Sequence, residues 1–102
     1  MNADISGLVL KDATIVRVIE DTDHSNLTFE LSYPLTEHNP DFIRKSVTFC
    51  TCRRYLVEEE YYFFGQPIIK SVAIDDRGSE GMTVRIQTNY GFREVRCSFV
   101  RD

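Results

Sequence analysis

This 102-residue chain predicts an all-β fold, and three observations carry that expectation. Apolar and polar residues alternate with period two, most clearly at Leu27, Phe29, Leu31 and Tyr33 against Thr28, Glu30 and Ser32, as in a half-buried strand. No stretch sustains the apolar spacing of an amphipathic helix. Polar links rich in Asp, Asn and Gly separate the apolar stretches and suit tight turns. The expected architecture is one small antiparallel sandwich or part-open barrel of about six strands with at most one short helix. Residues 1–102 make a single β-rich domain, because this length leaves no room for a second core.

Taken in order, residues 13–19 are β-branched on both faces, interrupted by Arg17, and read as a central strand. Residues 20–26 are wholly polar and form a hairpin loop. The strand at 27–33 stops at Pro34, and 34–41 is a longer loop holding His38 and Pro40. A third strand covers 44–52 with Val47 and Phe49 on one face. A fourth covers 67–75 and uses Ile68, Val72 and Ile74. Residues 53–64 fit neither period, and Arg53 and Arg54 ahead of three glutamates oppose a helix dipole. A turn or two of helix followed by an extended segment is expected there.

The last two strands follow a polar link at 75–81 and read as a hairpin about Tyr90 and Gly91. That register pairs Ile86 with Val95, Val84 with Cys97 and Met82 with Phe99. The other face then sets Gln87 against Glu94, Arg85 against Arg96 and Thr83 against Ser98. A one-residue slip would destroy every apolar pair.

Charge and cysteine usage exclude several classes of function. The formal net charge is −4, which opposes binding to nucleic-acid phosphates. The surplus acid is N-terminal: residues 1–51 hold eight acids and four bases, residues 52–102 eight of each. No apolar run approaches the ~18 residues of a membrane span. The first residues lack a basic signal start, so a cytoplasmic protein is expected. The three cysteines are an odd set and read as reduced thiols. Cys50 and Cys52 would sit about 7 Å apart on one strand face, at the limit for a disulfide. A Cys-x-Cys pair without a second close pair is a poor zinc signature, so no metal or cofactor is expected. Asp23, His24 and Ser25 are adjacent in the chain and cannot form a triad. His24 and His38 fall in polar loops, and residues 78–81 lack the lysine of a phosphate loop. The chain is expected not to be an enzyme.

Two stretches are candidate binding residues. Glu58, Glu59 and Glu60 precede Tyr61, Tyr62, Phe63 and Phe64. Tyrosines are favoured at interfaces, so Glu58, Glu59, Glu60, Tyr61 and Tyr62 are candidate protein contacts. The alternative has the aromatics plugging the end of the sheet above a solvated acidic turn. Arg85 facing Arg96 would cost a few tenths of a kcal/mol, roughly, unless neutralised. Glu94 or Glu30 could do so from within, and an acidic partner or anion from outside.

Several elements also carry a resemblance. Leu10-Lys11-Asp12-Ala13 opens a β-branched strand, 27–31 forms the next, and Val47-Thr48-Phe49 is a Val-x-Phe element. Ile86-Gln87-Thr88-Asn89-Tyr90-Gly91 supplies an Ile-x-Thr-x-x-Gly hairpin. Together they resemble small bacterial β-rich domains, some of which are similar to immunity proteins that neutralise polymorphic toxins. The resemblance implies a protein-binding module whose partner is a toxin domain. A small-ligand or anion-binding β domain is the alternative. An edge strand could also join two copies into a homodimer.

Overall fold

The computed structural model describes residues 10–33, 43–60 and 65–101. His38, Tyr61 and Tyr62 lie outside them. Eight strands form: β1 (Thr14–Asp21), β2 (Asn26–Tyr33), β3 (Ile43–Cys50), β4 (Arg54–Glu59), β5 (Ile69–Asp76), β6 (Met82–Thr88), β7 (Gly91–Cys97) and β8 (Phe99–Arg101). Sheet 1 has the order β1-β2-β3-β8 and sheet 2 the order β4-β7-β6-β5, with neighbouring strands antiparallel throughout. A single 3-10 turn at Gly78–Glu80 is the helical element among the described residues. The all-β sandwich is therefore as the alternation indicates.

The core lies between the sheets. Phe29, Leu31 and Phe49 from sheet 1 and Ile69, Val84, Ile86 and Val95 from sheet 2 are at most 1 % exposed. Phe29 meets Phe49 edge-on at 5.2 Å and reaches across to Tyr55 of sheet 2 at 5.8 Å, the offset that aromatic quadrupoles favour.

Four expectations are corrected. Among the described residues there are eight strands rather than six, because β8 adds to the count and residues 54–59 form β4 where a turn or two of helix is expected. In β4 Tyr55, Val57 and Glu59 share the face of Val95, Arg93 and Gly91, although Val57, on this edge strand, is 39 % exposed. An inward glutamate hides the alternation, since the arginine that satisfies it lies 34 residues away. β8 has three residues, of which Val100 is buried, too few to show a period.

β1 is an edge strand and not a central one. Its apolar beginning is covered from sheet 2: Ile15 N–H donates to the Pro67 carbonyl (2.8 Å) and Ile69 N–H to that of Ala13 (2.8 Å). After a bulge between Ile15 and Arg17 the strand leaves that cover, and Ile19 is 39 % exposed.

The β6–β7 hairpin is two residues out of the expected register. Thr88 pairs with Gly91, Val84 with Val95 and Met82 with Cys97. Arg85 therefore faces Glu94, and Arg96 faces Thr83. Matching of apolar pairs rejects odd slips only, because an even slip keeps every side chain on its face. The turn decides the rest. Asn89 Oδ1 accepts from Ile68 N–H at 2.9 Å, and Asn89 N–H donates to the Ile68 carbonyl at 3.1 Å. Those bonds hold Asn89 and Tyr90 as the turn and place the positive φ (151°) at Gly91.

Finally, Cys50 and Cys52 do not share a strand. Thr51 has a φ of 53°, β3 stops at Cys50, and the chain crosses to sheet 2. Cys52 N–H donates to the Ser25 carbonyl at 2.6 Å on the way.

Candidate functional site

Cross-strand register lays out the outer face of sheet 2 in rows. Arg54, Arg96, Thr83 and Asp75 lie side by side across β4, β7, β6 and β5. The next row is Leu56, Glu94, Arg85 and Ala73, and the third is Glu58, Phe92, Gln87 and Ser71. Arg54, Glu58, Asp75, Arg85 and Arg96 are exposed, while Leu56, Phe92 and Glu94 are half-buried.

Charge is balanced unevenly on this face. Arg77 Nε donates to Asp75 Oδ2 at 3.2 Å. Arg96 Nε stands 3.6 Å from Glu94 Oε1, beyond a good hydrogen bond. The Arg85 guanidinium stacks 4.0 Å over the Phe92 ring, a cation–π contact. Arg53 and Arg54, both exposed, have no ion pair among the described residues. Arg54 faces Arg96 directly. A like-charge cross-strand pair is thus present, but Arg54 rather than Arg85 is the partner of Arg96.

A concavity of about 660 Å³ at this end of the sheet is lined by Arg53, Arg54, Arg77 and Arg96 and by the acids Asp75, Glu80 and Glu94. A smaller hollow of about 260 Å³ shares Arg53 and Arg54 and reaches Glu20 and Asp21 beside the β1–β2 turn. In that turn His24 Nδ1 donates to Asp21 Oδ2 at 2.9 Å, and this bond holds the Asp21 carboxyl below its usual range.

The expected contact residues separate. Glu58 and Glu60 are exposed. Glu59 is not a surface contact: its side chain is wholly buried against Arg93, itself 7 % exposed. Arg93 Nε and Nη2 donate to the two carboxylate oxygens at 2.9 and 2.8 Å. Thr88 Oγ1 donates to the same carboxylate at 2.8 Å, and Arg93 Nη1 donates to the Tyr55 hydroxyl at 3.0 Å. Every buried side-chain polar atom among the described residues has a partner. Satisfied in this way, a desolvated ion pair can be tolerated between two sheets. It belongs to the architecture.

The thiols are spread over both sheets. Cys50 and Cys97 are buried and Cys52 half-buried, all three free. Burial pushes the Cys97 thiol up to about 12, with the neighbouring Cys52 and Cys50 adding to the rise. Burial also raises Cys52. Such thiols carry little thiolate near neutral pH. His24, Cys50, Cys52 and Cys97 make no hydrogen bonds to one another. Among the described residues no three His, Cys, Asp or Glu side chains are placed to hold a metal ion.

Arg53, Arg54 and Arg93 are the residues the sequence reading passed over. Arg93 shares the face of Val95 and Cys97, so the alternation itself carried a signal that it points inward. Arg53 and Arg54 gave no such signal, since their meaning depends on β4 lying beside β7. No protein-family model matches the chain, and no curated protein or solved structure shows significant similarity to it.

Proposed function

We propose that the chain is a non-enzymatic protein-binding module that uses the outer face of sheet 2. The observation that carries this reading is the pair of exposed guanidinium groups, Arg53 and Arg54, without an ion pair among the described residues and next to Arg96. Arginine and aromatic residues are enriched in protein interfaces. The same face adds Phe92 under Arg85 and a half-buried Leu56. Exposed Glu58 lies in the row of Phe92, so one part of the acidic stretch borders this surface. Three free cysteines suit a reducing compartment, and no helix among the described residues is long and apolar enough to cross a membrane. A bacterial cytoplasm is the proposed setting, and a toxin domain is the partner class implied by the resemblance to small bacterial β-rich domains.

The test compares the two outer faces. Affinity capture with the tagged chain is repeated with Phe92→Glu on sheet 2 and Ser46→Glu on sheet 1, with folding checked by circular dichroism. Loss of a bound protein with Phe92→Glu and its retention with Ser46→Glu supports the reading. Retention by both variants removes sheet 2 from consideration. A second reading, an anion-binding domain, is favoured by the size of the concavity, since ligand sites commonly span about 300–1,000 Å³. A rise in melting temperature with a small polycarboxylate, in the absence of any protein partner, would select it.

A further inference from the structure

We infer that the concavity bounded by Arg53, Arg54 and Arg96 receives a short acidic segment of a partner protein, with its carboxylates on these arginines and an adjoining apolar side chain on Leu56 and Phe92. The inference rests on the protein-binding reading above and adds the chemistry of the partner.

Four observations converge on it. First, Arg54 and Arg96 face each other across β4 and β7, which sets their β-carbons roughly 5 Å apart. Glu94 cannot neutralise both sides of its strand, because it faces Leu56 on β4 and Arg85 on β6 and stands 3.6 Å from Arg96. The repulsion is left for solvent or a ligand to relieve. Second, this surplus of cations occurs in a chain of net charge −4, so it is a local arrangement and not the consequence of a basic composition. Third, the arginines stand around a concave surface. Concave walls focus a field outward, and the planar guanidinium fork fits a carboxylate with two parallel hydrogen bonds. Fourth, Leu56 and Phe92 lie one and two rows away on the same face, half-buried, and the residue two along from an acid in an extended chain, about 7 Å on and on the same side, would meet Leu56.

The carboxylates around the same hollow limit what can enter. Asp75, Glu80 and Glu94 line it together with the arginines. A continuous polyanion such as a nucleic acid or polyphosphate would bring charge against each of them. A segment with one or two discrete carboxylates can meet arginines alone. Neighbouring acids therefore act as a filter against phosphate chains, in keeping with like-charge exclusion as a source of specificity.

The experiment is a titration of isotope-labelled protein followed by amide NMR. The probe is a synthetic peptide with two adjacent glutamates beside a leucine. Parallel arms use the same peptide with glutamines, and inorganic polyphosphate. The glutamate peptide should shift the amides of Arg53, Arg54, Thr83 and Arg96, and its affinity should fall as salt is raised. Arg54→Gln with Arg96→Gln should weaken it about tenfold or more, while leaving distant amides unmoved as proof of an intact fold. No shift with the glutamate peptide, or equal shifts with the glutamine peptide, overturns the inference. Tighter binding of polyphosphate than of the peptide also overturns it, in favour of a polyanion site. If the peptide fails while Phe92→Glu still abolishes capture of a protein partner, protein binding on this face survives and the acidic segment does not.

Discussion

Arg93 and Arg96 lie three residues apart on β7 and point to opposite sides of sheet 2. Arg93 faces the core, with a two-pronged bond to Glu59 and a third bond to the Tyr55 hydroxyl. Its guanidinium stands 5.9 Å from the Phe29 ring of the other sheet. Arg96 faces water, 53 % exposed, with a long contact to Glu94 and a second arginine opposite. Inside, water cannot replace a missing partner, so every donor must be matched by the protein. Outside, water solvates what the protein leaves unmatched. The inner pair links β4 to β7, while the outer cations stay solvated.

Removing one inner partner is the strongest way to break this comparison. Glu59→Ala or Arg93→Ala should cost about 3–5 kcal/mol, because each strands a buried charge. The double change Glu59→Leu with Arg93→Met should recover most of that loss. Urea midpoints of the three variants decide it, and single variants within about 1 kcal/mol of the parent would show that the pair is not desolvated.

The next effect concerns the backbone that presents the pair. A β-carbon at Gly91 would overlap the Glu58 carbonyl oxygen, at a φ that side chains rarely adopt. Gly91→Ala should cost about 1–3 kcal/mol through overpacking and should speed hydrogen exchange in β4 and β7 ahead of sheet 1. Equal loss of protection in both sheets would contradict a local cause.

On the outer face the effects should be small and opposite in sign. Arg54→Glu replaces a like-charge pair with a complementary one, and should stabilise by a few tenths of a kcal/mol, roughly. High salt should erase that gain. A loss that persists in salt would mean that Arg54 has a structural role.

Smallest is the turn pair of Asp21 and His24. The lowered Asp21 carboxyl contributes stability above its ordinary value of 3.8, and this is lost as pH falls through the folded value. Asp21→Asn should therefore lower the unfolding midpoint slightly near neutrality and leave it unchanged in acid, where the carboxyl is protonated in both states.

How much of this was legible beforehand varies by element. β2 and β6 alternate cleanly and bury every second residue, so one face of each was readable by eye. β4 was not, because its inward series ends in Glu59, and a buried glutamate makes sense only beside Arg93. The acidic stretch looked like one surface, yet Glu59 turns inward while Glu58 and Glu60 face water. The outer site was half legible. Arg96 was singled out for a like-charge contact, but with Arg85, since the hairpin register had been placed two residues away.

Sequence alone determined the fold class, the strands with an apolar face and which side chains share a face, because these follow from a period-two pattern within a single strand. Tertiary structure decided which strands are neighbours, in which even register, and hence which charges meet. Those choices depend on partners distant in the chain: the Asn89 turn against Ile68, Glu59 against Arg93 and Arg54 against Arg96. A buried charge or an unmatched arginine is defined by its neighbours, and those are assembled only when the two sheets close.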